Sequence, residues 1–119
     1  MTLGTVLITG GTGSFGRAFA SHLLTHSLAS KIVVLSRDEA KQERMCDDLG
    51  NDDRLRFFLG DVRDAERLKQ AFRGVDVVIH AAALKRVPAL EYNPHEAVLT
   101  NVTGSQNVVT AALHCGVPK

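Results

Sequence analysis

Long hydrophobic runs are missing from this sequence: nowhere do 18 or more apolar residues follow one another, so no segment reads as a membrane-spanning helix. Cysteine is scarce. Cys46 and Cys115 stand far apart, with no Cys-x-x-Cys pair and no Cys/His cluster at metal-ligand spacing, which excludes a disulfide framework and a zinc site and leaves two reduced thiols. Neither sign of charge predominates. With 14 basic and 13 acidic side chains the formal charge is +1, giving no electrostatic footprint for nucleic acid or an anionic membrane. The stretch from Met1 to Gly10 lacks the basic start and small-residue cleavage site of a secretory signal, so the expected location is cytoplasmic. Repeats, low-complexity tracts and linkers rich in Pro, Gly or Ser are also absent, and one domain over residues 1–119 is expected. What is present is an ordinary globular composition, 45% hydrophobic and 23% charged, sufficient for a modest core.

Four short apolar runs, Thr5 to Thr9, Lys31 to Leu35, Leu55 to Leu59 and Val75 to His80, read as buried strands. Their near-continuous apolar character is what a parallel sheet covered on both faces requires. Helical patterns lie between them. The first is expected over Ser14 to Leu28, with Phe15, Phe19, Leu23 and Leu24 on its core face. A second begins near Asp38, an N-cap acid, and runs to Leu49 before Gly50; a third covers Asp64 to Phe72 before Gly74. The fourth is expected from Pro94 to Cys115, carrying Val98, Val102, Val108, Val109 and Leu113, and is stopped by Gly116 and Pro118. Strand and helix alternating through four cycles imply an α/β fold with a parallel sheet, the first four βα units of a doubly wound architecture.

Between the first strand and first helix lies Thr9-Gly10-Gly11-Thr12-Gly13-Ser14-Phe15-Gly16. Glycine at positions 10, 13 and 16 permits, in turn, a tight turn, close approach of a pyrophosphate and close helix-to-strand packing. The N-terminus of the helix then favours the anion through its dipole and free N–H groups. A flexible turn before a helix is the alternative.

The second strand ends at Leu35-Ser36-Arg37-Asp38, where such folds choose between the two nicotinamide cofactors. A carboxylate at the strand tip suits the ribose hydroxyls of NAD; here the tip residue is Ser36, Arg37 follows, and Lys41 stands at i+4 from Arg37. NADP is favoured over NAD. The opposite preference follows if Arg37 and Lys41 form a solvated face and Asp38 takes the ribose. After the third strand Asp61 is placed to accept from an adenine amino group, with the Val62 backbone beside it; a turn or helix cap is its other role. After the fourth, Ala81, Ala82 and Ala83 keep the mouth of the crevice open, where a bulky side chain would block the ribose and nicotinamide.

At these residues the chain resembles the extended short-chain dehydrogenases, Rossmann-like proteins in which Thr-Gly-x-x-Gly-x-x-Gly, an Asp-Val pair and a His-Ala-Ala-Ala segment recur. More closely, Ile8 to Gly16, Ser36 to Glu39 with Lys41-Gln42, Gly60 to Asp64, and the segments around Lys85 and Glu91 to Pro94 resemble the inverting UDP-N-acetylglucosamine 4,6-dehydratases of polysaccharide biosynthesis. The resemblance covers essentially the whole chain. It implies a lyase in which retained NADP takes hydride from the sugar C4, water leaves across C5 and C6, and hydride returns to C6. It further implies that Thr12, Gly13, Ser14 and Phe15 bind the pyrophosphate within a cofactor-binding loop that includes Gly10 and Gly16, that Ser36, Arg37 and Lys41 serve the adenosine phosphate, and Asp61 and Val62 the adenine. Ala81 and Ala82 would line the cofactor groove, Asn101 its floor, Lys85 would meet cofactor and substrate, and Tyr92 the nucleotide-sugar. Bland alternatives exist for these last residues: a solvated lysine, a helix-edge aromatic and an internally satisfied asparagine.

The family carries its acid, base and hydroxyl groups, including a Tyr-x-x-x-Lys pair, after a fifth strand. Tyr92 is the only tyrosine here and Glu96 stands four residues later, so no catalytic residue is assigned and the 119 residues are expected to bind cofactor without turnover. An epimerase or reductase of the same superfamily, or a non-catalytic dinucleotide-binding module, are the competing functions. Without a fifth strand, Val75 to His80 becomes a sheet edge and self-association into a homo-oligomer is expected.

Overall fold

The computed structural model describes residues 3–81 and 104–118. Eight elements follow in order: β1 (Thr5–Thr9), α1 (Ser14–Thr25), β2 (Lys31–Ser36), α2 (Glu39–Asp48), β3 (Leu55–Leu59), α3 (Ala65–Ala71), β4 (Val77–His80) and α4 (Gly104–Cys115). The strands form one parallel sheet in the order β3-β2-β1-β4. Thr5 pairs with Lys31 and Thr9 with Leu35 on one side of β1, while Val6 pairs with Val77 and Thr9 with His80 on the other. Sequence order therefore runs outward from β1 through β2 to β3, then returns to its opposite side. That reversal makes the doubly wound, Rossmann-like arrangement expected from the alternation of patterns.

Alternation along each strand divides the core between the two faces of the sheet. Val6, Ile8, Ile32, Val34 and Leu55 pack with Ala20, Leu23 and Leu24 of α1 and Met45 of α2. Leu7 and Leu35 point the other way, onto Leu68, Ala71 and Phe72 of the α3 segment and Val108 and Ala111 of α4. Because both faces are covered, strand residues of either parity are apolar, and Val6, Leu7 and Ile8 are completely buried.

The helix ends obey local chemistry. Asp38 accepts a hydrogen bond from the Lys41 N–H, and Asp64 one from the Arg67 N–H, each capping its helix. Gly50, Gly74 and Gly116 take positive φ where α2, α3 and α4 stop.

Boundaries of α1 and β4 differ from the sequence expectation, and β2 runs one residue further, to Ser36. α1 ends at Thr25 rather than Leu28, because Ser27 enters the left-handed region (φ 52°) and the Leu28 N–H turns back to the Leu23 carbonyl, closing a Schellman-type stop without glycine. β4 starts at Val77, since the Val75 N–H is spent on a turn to Phe72. The described part of the last helix is Gly104–Cys115; Pro94, Val98 and Val102 lie outside the described residues.

The core face of α1 is also corrected. The buried stripe of α1 is Gly16, Ala20, Leu23 and Leu24, one residue out of phase with Phe15, which is 59% exposed and stacks on Phe19. On α4 it is Val108 and Ala111 that are buried, while Val109 and Leu113 face solvent.

Candidate functional site

All four parallel strands end on the same edge of the sheet, and a crevice of about 730 Å³ opens there. Its wall is built from the residues just after each strand: Gly10, Thr12 and Gly13 after β1, Ser36 to Lys41 at the end of β2, Gly60 to Val62 after β3, and Ala81 after β4. The order reverses between β1 and β4, so connections leave that point in opposite directions and a gap remains between them.

The glycine segment has distinct local demands at each position. Gly10 adopts φ 64°, and both its N–H and that of Gly11 donate to the Leu35 carbonyl, folding the loop back over the end of β2. Gly16 sits directly on the loop backbone: a Cβ there would lie 2.4 Å from the Gly11 Cα and 2.5 Å from its carbonyl oxygen. Gly13, which lines the crevice, is different: a Cβ there would meet only the Gly10 carbonyl oxygen, at 3.4 Å. No side chain caps α1 and its first turn holds no acid, whereas α2 and α3 each have an Asp cap and an acidic first turn. The positive end of the α1 dipole is thus left for an anion.

At the β2 tip charges of both signs meet, Arg37 and Lys41 beside Asp38, Glu39 and Asp61. Arg37 is half exposed and lies 3.7 Å from Asp61. Asp61 is held more closely by its neighbour: Oδ1 accepts the Arg63 N–H at 2.9 Å, and Oδ2 accepts Arg63 Nε at 3.0 Å and Nη2 at 2.9 Å. Partial burial pushes the Asp61 carboxyl up, but the Arg63 hydrogen bonds and the charges of Arg63 and Arg37 outweigh it and hold it below its ordinary value. Asp61 is therefore ionised and accepts only. Asp38 directs Oδ1 into the α2 cap, 3.1 Å from the Lys41 N–H. The Val62 carbonyl accepts from Asn107 Nδ2 of α4 at 3.0 Å, fixing the loop after β3 to the far helix.

The β1 and β4 ends are tied together by Thr9. Fully buried, it accepts the Ala81 N–H on Oγ1 at 3.0 Å, and the same oxygen is hydrogen-bonded to His80 Nδ1 at 2.7 Å. Desolvation pushes the His80 imidazole below its ordinary value. Ala81 consequently enters the crevice as a methyl group on a fixed backbone.

The family model described as polysaccharide biosynthesis protein matches residues 6–119. The chain belongs to this polysaccharide biosynthesis family. Among its relatives, the inverting UDP-N-acetylglucosamine 4,6-dehydratase of Campylobacter jejuni is 53% identical over 114 residues, covering 96% of this chain and 34% of that protein. The UDP-glucose 4-epimerase of Rickettsia akari is 49% identical over 118 residues, covering 97% of this chain and 34% of that protein. Of solved structures, Pen from Bacillus thuringiensis superposes with a TM-score of 0.91 at 40% identity, covering 98% of this chain and 35% of that one. A dTDP-glucose 4,6-dehydratase of Streptomyces venezuelae, solved with NAD bound, gives 0.84 at 33% identity over 95% of this chain and 37% of that one. The chain spans about a third of the length of the curated relatives it matches.

Within this member of the polysaccharide biosynthesis family, the fold brings Gly10, Thr12, Gly13, Ser36, Arg37, Lys41, Asp61, Val62 and Ala81 to one crevice. Ser14 and Phe15 stand just beyond its rim at the start of α1, and Gly16 faces the core side of the loop rather than the crevice. Ala82, Lys85, Tyr92 and Asn101 lie outside the described residues. Further residues that shape the crevice were missed by sequence reasoning. Gly11 is one: a Cβ there would meet Val34 Cγ1 at 2.7 Å, and the doubled Gly-Gly was the available signal. Gly60 is another, where a Cβ would press on Arg67 Cγ at 3.0 Å. Glu39 and Ala40 complete the wall because the first turn of α2 bends over the β2 tip, which no local pattern announces.

Proposed function

We propose that this chain forms the NADP-binding portion of a nucleotide-sugar 4,6-dehydratase acting on UDP-N-acetylglucosamine. The observation that carries the reading is the β2 tip: Ser36, Arg37 and Lys41 line the crevice, the strand-tip residue is not a carboxylate, and Asp61 is held by Arg63. The 53% identity to the Campylobacter jejuni dehydratase supports the reaction class. The site fits a dinucleotide, since Gly10 and Gly13 add no side chain to the turn beside an uncapped helix end and the volume of about 730 Å³ accommodates the adenosine half.

When bound, NADP supplies a hydride acceptor for the sugar C4. The chain's own residues hold it: backbone N–H groups at the start of α1 receive the pyrophosphate, Arg37 and Lys41 neutralise the ribose phosphate, and Asp61 and Val62 flank the adenine. Ala81, pinned by Thr9, leaves room at the crevice mouth for the nicotinamide ribose.

Calorimetric titration tests the cofactor. NADP is expected to bind more tightly than NAD, and Arg37→Ala to cost NADP at least about 1 kcal/mol through loss of a charge-assisted hydrogen bond. Equal affinities, or a preference for NAD, refute the assignment. The 49% identity to an epimerase favours a second reading, interconversion at C4 of a UDP-sugar. Incubating the natural gene product with UDP-N-acetylglucosamine separates them: a 4-keto-6-deoxy sugar supports dehydration, and the C4 epimer supports the alternative.

Self-association belongs to the same proposal. β4 is a sheet edge among the described residues, and Val109 and Leu113 present exposed apolar surface. Sedimentation is expected to show dimers or larger species; a monomer at every concentration would remove this part.

A further inference from the structure

We propose that Gln42, which does not itself line the crevice, is a positioning residue that makes the Ser36 hydroxyl an obligatory hydrogen-bond donor and thereby selects a phosphorylated ribose; the inference rests on the NADP reading above. Gln42 and Ser36 are each only 7% exposed. The Gln42 amide nitrogen, from the second turn of α2, donates to the Phe58 carbonyl of β3 at 3.2 Å and to Ser36 Oγ at 3.0 Å. A backbone carbonyl accepts only, so the amide must present its NH₂ there; the reversed amide would set two acceptors face to face. Both amide hydrogens are then committed, one to Phe58 and one to Ser36. Ser36 Oγ is left no choice but to accept from Gln42, and its own proton turns elsewhere.

Among the described residues that proton reaches no acceptor, and Ser36 borders the crevice with Arg37 and Lys41. The three side chains at the β2 tip therefore offer donors: a hydroxyl proton, a guanidinium and an ammonium. A phosphate, which only accepts at neutral pH, matches such a set. A free ribose hydroxyl must also donate; Asp61 is held by Arg63 and Asp38 Oδ1 by the Lys41 N–H, which leaves Glu39 and the second oxygen of Asp38 as the carboxylate acceptors on this wall. The direction of one hydrogen bond, set by a residue behind the binding surface, then tilts the choice toward the phosphate.

Titration of the wild-type protein, Gln42→Glu, Gln42→Met and Ser36→Ala with NADP and with NAD tests this, with far-UV circular dichroism confirming the fold of each. In Gln42→Glu the carboxylate draws the Ser36 proton inward, and the preference for NADP over NAD is expected to fall about tenfold, the scale of one hydrogen bond to a charged group. Gln42→Met and Ser36→Ala are expected to lower the preference several-fold, with NAD binding little changed. Ser36→Ala leaves the Gln42 bond to Phe58 in place, so it carries the test if the Gln42 variants fail to fold. If the wild type prefers NADP and Arg37→Ala erodes that preference, yet the ratio is unchanged in the Gln42 and Ser36 variants, Gln42 is only a bridge between β2 and β3. The proposal then falls while the NADP reading stands. A wild type with no preference for NADP overturns both.

Discussion

Gly16→Ala is expected to destabilise the fold because the added methyl has no space that side-chain motion can supply. Its Cβ would lie 2.4, 2.5 and 2.6 Å from the Cα, carbonyl oxygen and carbonyl carbon of Gly11. Comfortable carbon contacts begin near about 3.5 Å, so α1 and the loop must part by roughly 1 Å. Overpacking of this kind costs about 1–3 kcal/mol, and here the obstacle is backbone, which places the cost in the upper part of that range. Alanine returns up to about 1 kcal/mol of helix propensity, less in a first turn, leaving a net loss of about 1–2 kcal/mol. Urea unfolding followed by circular dichroism measures it as a lower midpoint at unchanged slope. Gly13→Ala is the internal control. With its Cβ 3.4 Å from the Gly10 oxygen and φ at −74°, it should unfold within about 0.5 kcal/mol of wild type. It should nevertheless weaken dinucleotide binding, because the methyl occupies the approach to the turn. A Gly16→Ala protein with the wild-type midpoint would refute the packing argument, and a Gly13→Ala protein that binds normally would refute the placement of the pyrophosphate.

Phe72 is fully buried between the α3 and α4 faces, and Phe72→Ala should cost about 3–5 kcal/mol in the same unfolding assay. Hydrogen bonds from the Arg54 side chain and backbone hold the Asp52 carboxyl at about 2, below its ordinary 3.8. A depressed folded value means that this contribution is fully present above the unfolded value and is lost as pH falls from about 3.8 through about 2. Carboxyl-detected NMR should give Asp52 a midpoint near 2, returning toward 3.8 in Arg54→Ala; an unchanged midpoint in that variant would exclude the pair as the cause.

Local signals were sufficient for the order of elements and for most of the crevice. Apolar runs covered on both faces, Asp38 and Asp64 at helix starts, and glycines at helix stops are properties of a few adjacent residues, so they can be read without knowing the fold. The loops after parallel strands are equally legible, because every such loop opens on the same edge of the sheet and a motif's position after its strand places it near the others. The phase of α1 was not. A pattern counted from Phe15 satisfies helical spacing as well as one counted from Gly16; contact between Gly16 and the Gly11 backbone chooses the second and turns Phe15 outward. Nor does sequence show that Ser27 ends α1, since a serine at positive φ is held there by the Leu28-to-Leu23 hydrogen bond rather than by its own preference.

What the sequence by itself determined is the alternation of strand and helix and the chemical character of the loops, since these depend on propensity, capping and spacing over a few residues. Only the tertiary structure decided which polar groups remain available. Arg37 comes within 3.7 Å of Asp61 across the ends of β2 and β3, and the Ser36 proton is released by an amide reaching across from α2 to β3. Hydrogen-bond direction is a property of partners distant in the chain, and those partners meet only once the sheet has assembled in the order β3-β2-β1-β4.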